Sequence, residues 1–286
     1  MDPDPKIRRL LARYQAGEIH RRELFRTLNR LLGGYAAAHL FLESSGIAPG
    51  LLAAQESQKA NVDSETVHYA GPAGQIEGYL ARPKPAGAHP GILVIHENRG
   101  LNDHTRDVAR RFAAEGFVAL APDALSRRGT TAKMKTVDEA REAIGTLTPA
   151  EALTDLKAGL RRLEELKGVD PKRISSIGFC WGGARSFMLA TESPALYRAV
   201  VFYGTPPPEE KLAAIPCPVL GIYGEKDERI TSTVPATAEA MKRLGKKYEY
   251  KIYPGADHAF FNDTGPRHDA AASKDAWART LQFLRG

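Results

Sequence analysis

Ile177-Gly178-Phe179-Cys180-Trp181-Gly182-Gly183 is the stretch whose reading decides the fold. It has the form G-x-C-x-G. The residues before it, 173–177, have strand composition, and residues 184–191 are small-sided and helical in character. A strand that turns sharply into a helix holds the residue at its apex in a strained backbone conformation. Glycines on either side remove the side chains that would clash there. The apex thiol then faces open space beside the N–H groups of a helix start, where a thiolate or an oxyanion is stabilised.

A cysteine between apolar neighbours is most often a small buried filler, so the rest of the chain has to supply reasons for a reactive one. Residues 218–227 form a buried-strand pattern that ends in a glycine turn and Asp227. Residues 248–253 alternate as a strand, and the loop leaving it is Pro254-Gly255-Ala256-Asp257-His258. Taken singly, Asp227 reads as a turn residue and His258 as a loop histidine. Together with Cys180 they follow the order nucleophile, acid, histidine, which is the chain order of α/β-hydrolases. Each lies just past the carboxyl end of an expected strand, where open parallel sheets place their ligand sites. A fourth element is Gly91-Ile92-Leu93-Val94-Ile95-His96-Glu97, an apolar run expected to be a strand buried on both faces. It ends in a polar loop, His-Glu-Asn-Arg-Gly, from which a backbone N–H could stabilise an oxyanion.

Strand and helix patterns alternate from residue 66 onward. A strand pair is expected at 66–70 and 75–81, then a strand at 91–96, a helix at 103–115 and a strand at 117–121. Residues 123–135 carry little regular pattern, and 138–166 are helical with a restart at Pro149. After the elbow come strands at 199–203 and from 218, a helix at 233–244, the 248 strand and a C-terminal helix at 268–284. This is the pattern of an α/β fold with a mostly parallel sheet wrapped by helices on both faces.

From about residue 65 to its end the chain resembles the dienelactone hydrolase family of α/β-hydrolases. The matching residues are His96-Glu97, Ala121-Pro122-Asp123, Gly178-Phe179-Cys180-Trp181-Gly182-Gly183, Gly224-Glu225-Lys226-Asp227 and His258-Ala259-Phe260. The resemblance implies Cys180 as nucleophile, His258 as general base and acid, and Asp227 as the group orienting it. It implies that Glu97 contacts the resting thiol, and that the backbone N–H groups of Asn98 and Trp181 form an oxyanion hole. It also implies a pair of arginines for a substrate carboxylate. One corresponds to Arg127 or Arg128; the other place holds Asn262, which leaves half of that clamp missing, with Arg99 or Arg185 as replacements. Arg127, Arg99 and Phe260 are the expected substrate-binding residues. The implied activity is hydrolysis of small esters or enol-lactones, with a general carboxylesterase acting on non-carboxylated substrates, or a non-catalytic binding protein, as alternatives.

The physical reading of these residues is compatible with that. A thiol with an ordinary pKa of about 8.5 is a few per cent ionised at neutral pH and needs a base or a depressed pKa. A histidine can take its proton and return it to the leaving group, and a buried aspartate holds one imidazole tautomer.

Composition is ordinary for a globular enzyme, with 43% apolar, 26% charged and 8% aromatic residues. Cys180 and Cys217 are the only cysteines. They make neither a disulfide framework nor a metal set, and Cys217, leading into a core strand, reads as structural. No metal and no cofactor is expected. Residues 1–60 are expected to form a separate helical extension ahead of a catalytic domain at 61–286. Residues 1–30 hold eight Lys/Arg against four Asp/Glu, so most of the net +6 lies there. Helices are expected at 7–14 and 22–42. Arg21-Arg22-Glu23-Leu24-Phe25 and the alanine-rich stretch after it resemble a twin-arginine export signal, but His39 and Glu43 interrupt the apolar run. Cytoplasmic residence is expected, with periplasmic export as the alternative. No segment has the length of a membrane span. The expected partner is a small ester or lactone, not nucleic acid, and the chain is expected to be a monomer or homodimer.

Overall fold

The computed structural model describes residues 4–15, 19, 21–32, 41 and 61–286. Eight strands form one sheet: β1 (Val62–Gly71), β2 (Gly74–Pro83), β3 (His89–Ile95), β4 (Val118–Pro122), β5 (Val169–Phe179), β6 (Ala199–Phe202), β7 (Val219–Gly224) and β8 (Tyr248–Tyr253). Their spatial order is β1-β2-β4-β3-β5-β6-β7-β8. β1 pairs with β2, and β2 with β4, in antiparallel fashion, and every other pairing is parallel. The fold is the mixed α/β arrangement expected. The helices, in chain order, are α1 (Pro5–Gln15), α2 (Arg21–Leu31), α3 (Asp103–Ala114), α4 (Val137–Gly145), α5 (Pro149–Glu165), α6 (Trp181–Glu192), α7 (Glu209–Leu212), α8 (Glu228–Thr231), α9 (Val234–Arg243) and α10 (Ala270–Arg285).

The two-faced burial of the central strands follows from their continuous apolar sequence. In β3, Ile92 and Val94 pack in one core cluster and Leu93 and Ile95 in the other, all at most 1% exposed. β6 divides likewise, with Val200 and Phe202 on one side and Ala199 and Val201 on the other. Each of these side chains other than that of Ala199 stabilises the fold by about 1.5–3 kcal/mol relative to exposure. One cluster lies under α3 and α10, through Val108, Phe112, Ala276 and Leu284; the other under α5, α6 and α9, through Leu156, Phe187 and Met241. The edge strand β8 exposes Glu249, Tyr250 and Lys251, and charges there oppose further strand pairing.

Helix starts are set by local chemistry. Thr148 and Glu151 form a reciprocal capping box and Pro149 opens α5, which explains the restart after α4. Asn102, Thr136 and Asp269 cap α3, α4 and α10. The irregular segment 123–135 contains two short 3₁₀ turns, Ala124–Arg128 and Thr131–Lys133.

α1 and α2 share a small apolar cluster of their own, Ile7, Leu10, Ile19, Leu24 and Leu28. The expected second helix is present over Arg21–Leu31. Its continuation and the alanine-rich part of the possible export leader lie, Phe41 aside, outside the described residues. Among the described residues no helix is long and apolar enough to cross a membrane.

Candidate active site

The carboxyl ends of β3, β5, β6, β7 and β8 converge on Cys180. The turn from β5 into α6 holds Cys180 at φ 57°, ψ −114°, a conformation that costs a non-glycine residue of order 1–3 kcal/mol. Its backbone N–H is fixed by the Phe202 carbonyl at 3.0 Å. The flanking glycines are required sterically. A Cβ on Gly178 would lie 1.9 Å from the Gly182 oxygen, and one on Gly182 would lie 2.4 Å from the oxygens of Ile95 and His96. Backbone atoms cannot move aside as a flexible side chain can, so the elbow packs directly onto β3.

Asp227 follows β7 and His258 follows β8, as expected. His258 Nδ1 lies 2.5 Å from Asp227 Oδ2, with the carboxylate 7% and the imidazole 14% exposed. Burial by itself would lower the imidazole pKa. Hydrogen bonds to Asp227 and then to the Cys180 thiol outweigh it and raise His258 to about 9. The acid thus holds Nδ1, and Cys180 is close enough to the imidazole to raise its pKa.

Glu97 is 5% exposed at the end of β3. Its Oε2 accepts a hydrogen bond from Asn262 Nδ2 at 3.0 Å, and its Oε1 is buried without a partner among the described residues. Asn262 is itself oriented, because its Oδ1 accepts from the Thr264 N–H and hydroxyl. The next residue, Asp263, ties this loop to α3 through His104, at 3.3 Å, and Arg111. Asn98 follows Glu97 and is half-buried; Trp181 is the first residue of α6, where backbone N–H groups have no intrahelical acceptor.

Three residues at the site carry no expected role from the sequence. Tyr203, just past β6, has φ 39° and a ring 5.0 Å from that of His258. Its hydroxyl is buried without a hydrogen-bond partner among the described residues. Burial above all, then the proximity of Glu97 and Cys180, pushes its phenol well above the ordinary value, so it stays a neutral donor. Its place just past the end of a central parallel strand was the available signal. His96 is fully buried. Its Nδ1 lies 2.6 Å from the Glu97 carbonyl, its Nε2 accepts from the Ala124 N–H at 3.1 Å, and its ring stacks 5.5 Å from Trp181. Burial lowers its pKa, and a neutral ring suits one donor and one acceptor contact. Asp123 accepts from Leu125 N, Thr131 N and Thr131 Oγ1, while Thr131 Oγ1 accepts from Leu101 N at 2.9 Å. It thereby joins the irregular segment 123–135 to the loop that carries Glu97 and Asn98.

The expected substrate-binding residues fare differently. Arg127 is turned onto α5, with Nε 2.6 Å and Nη2 3.0 Å from the Asp155 carboxylate, and Arg128 pairs with Glu151 at 3.4 Å. A bidentate pair with a 7% exposed carboxylate occupies the guanidinium face that a substrate would need. Phe260 is a correction to the expectation. It is 0% exposed, packed among Tyr253, Tyr203 and Phe202, because the 257–262 loop folds inward with Ala259 at φ 63°. It supports the site from behind and offers substrate no surface. Arg99 is half-buried beside Asn98. Arg185 lies 5.1 Å over Trp181 with its Nε unpartnered among the described residues, and burial lowers its pKa. Among the described residues no cluster of His, Cys, Asp and Glu is placed to hold a metal ion.

The dienelactone hydrolase family profile matches residues 76–286. A protein named "Putative carboxymethylenebutenolidase" from Saccharolobus solfataricus is 33% identical over 77% of this chain and 97% of its own length. A namesake from Methylorubrum extorquens is 32% identical over 74% of this chain and 77% of its own. Among solved structures, a "Putative Dienelactone Hydrolase" from Klebsiella pneumoniae superposes with a TM-score of 0.73 at 30% identity, covering 78% of this chain and 98% of that one. The dienelactone hydrolase-like promiscuous phosphotriesterase P91, from metagenomic libraries, gives 0.68 at 26% identity over 79% and 98%. Together with the sheet order, the strained elbow and the acid and histidine beside it, these matches place the chain in the dienelactone hydrolase family of hydrolases.

Proposed function

We propose that the chain hydrolyses small esters or enol-lactones through an acyl-cysteine intermediate. The observation that carries this reading is His258, whose Nδ1 is bonded to Asp227 and whose pKa is raised by that bond and by the neighbouring Cys180. His258 accepts the thiol proton, and the thiolate attacks the carbonyl carbon, forming the S–C bond. The carbonyl electron pair moves to oxygen, where the N–H groups of Asn98 and Trp181 receive it. As the carbonyl re-forms, the C–O bond to the alkoxide or enolate breaks, and that oxygen takes the proton from His258. Water then attacks the thioester with His258 as base, releasing the acid and the thiolate. Asp227 keeps the imidazole in one tautomer and stabilises its cation. Glu97, held by Asn262 and close to Tyr203, is positioned to influence the resting thiol.

Substrates without a carboxylate fit this site best. Arg127 and Arg128 are engaged by Asp155 and Glu151, and a neutral amide, Asn262, stands beside Glu97. The test is hydrolysis of p-nitrophenyl acetate and of matched lactones with and without a carboxylate. Cys180→Ala should abolish turnover with an unchanged unfolding midpoint, and Cys180→Ser should retain no more than about 1%. Undiminished turnover in Cys180→Ala refutes the thiol mechanism, and a strong advantage for carboxylated substrates refutes the specificity.

A further inference from the structure

At the end of the sheet opposite Cys180 lies an open cleft of about 760 Å³. It is bordered by the amino-terminal ends of β7 and β8, by Arg198 ahead of β6, by the last turn of α9 and by the end of α10. β7 runs six residues between this cleft and the site, a separation of roughly 17 Å at about 3.3 Å per residue. The cleft is therefore a different place from the catalytic centre.

Its chemistry is one-sided. Arg198, Lys242, Lys246 and Lys247 line it, against Glu249 as the single acidic side chain on the wall. Lys246 donates to the Ile215 carbonyl at 2.8 Å and Arg198 to the Phe283 carbonyl at 2.6 Å. Both acceptors are uncharged. Lys242 and Lys247 have no side-chain partner among the described residues, and none of the four cations is within ion-pair distance of a described carboxylate. Arg198 packs 4.9 Å over the Tyr197 ring and 5.1 Å over the Phe283 ring, and its Nε is buried without an acceptor among the described residues. A cleft lined by one sign of charge focuses its potential on the space between its walls. A single carboxylate would leave most of that charge uncompensated, whereas a phosphate chain carries several charges within reach of neighbouring ammonium groups. Of the apolar groups on the wall, Tyr248, Pro218 and Ala238 are half-buried, whereas Phe283 is buried with Arg198 5.1 Å over its ring. The volume falls in the range of small-molecule sites.

We propose that this cleft binds a phosphorylated small molecule with a flat apolar body, in the charge and size class of a nucleoside diphosphate. Lys242, Lys246 and Lys247 receive the phosphates, and the body rests against Tyr248, Pro218 and Ala238.

The test is calorimetric titration of the full chain with ADP in 0.1 M NaCl, compared with pyrophosphate and with adenosine. ADP should saturate one site, with pyrophosphate and adenosine each at least tenfold weaker. Lys242→Ala/Lys247→Ala should weaken ADP at least tenfold, while p-nitrophenyl acetate turnover, which reports folding, stays unchanged. Lys247→Ala alone repeats the comparison should the double variant fail to fold. No saturable ADP binding, or binding indifferent to the lysines, overturns the proposal. Pyrophosphate binding as tightly as ADP overturns the part assigned to the apolar body.

Discussion

Replacing Asp227 by Asn removes the negative charge that holds the His258 cation while keeping a side chain of the same shape. In the native protein His258 is raised from an ordinary 6.5 to about 9, against the effect of burial, by Asp227 first and Cys180 second. A folded-state pKa above the unfolded value contributes stability that is complete below pH 6.5 and disappears as pH rises through 9. The shift corresponds to about 3 kcal/mol for the pair of contacts together, so the Asp227 share lies between about 1 and 3 kcal/mol. The stability gap between wild type and Asp227→Asn should therefore be largest near pH 6 and shrink by about that amount toward pH 10. Urea unfolding at five pH values across this window measures the gap. Histidine NMR titration measures the cause directly, since the His258 resonance should move from about 9 in the wild type toward 6.5 in the variant. The alkaline limb of kcat/KM should follow the same change, because in the proposed mechanism that cation protonates the leaving group. A stability gap independent of pH, or a wild-type His258 that titrates at or below 6.5, refutes the reasoning.

Gly182→Ala should destabilise by about 3 kcal/mol or more, because its Cβ meets the Ile95 and His96 carbonyl oxygens at 2.4 Å and backbone has to shift; a lowered denaturation midpoint checks this, and an unchanged one contradicts it. Asn262→Ala leaves the buried Glu97 without its only hydrogen-bond donor among the described residues. It should cost about 1–3 kcal/mol in urea unfolding and lower kcat/KM for p-nitrophenyl acetate. Arg127→Ala should cost about 3 kcal/mol by stranding Asp155 at 7% exposure. Its selectivity between carboxylated and neutral esters should not change, and a lost preference would return Arg127 to the substrate site.

Much of this protein could be read along the chain because the deciding physics is local. The elbow needs small residues beside its apex, and Gly178, Gly182 and Gly183 supply them within a few positions of Cys180. A strand covered on both faces needs uninterrupted apolar residues, and 91–95 supply those. In a parallel sheet the residue just past a central strand faces the same rim as its counterparts, so Asp227 and His258 could be located without coordinates. The same rule applied to Phe202-Tyr203-Gly204 would have reached Tyr203, whose φ of 39° marks a turn that composition does not announce.

Contacts between segments remote in sequence were decided only in three dimensions. Asn262 and Glu97 stand 165 positions apart, and their hydrogen bond assigns Asn262 to the carboxylate in the site. Arg127 and Asp155 are 28 apart, and only the docking of α5 against the 124–128 turn shows that this guanidinium is already engaged. Phe260 reads from its motif as a neighbour of substrate, yet the fold turns it into the core behind His258. The sequence by itself determined which residues stand at the carboxyl-end rim of the sheet, because strand polarity and turn sterics are encoded over a few neighbouring positions. The tertiary structure decided which of those side chains remain free to meet a substrate, because that depends on partners brought together only when the sheet and its helices pack.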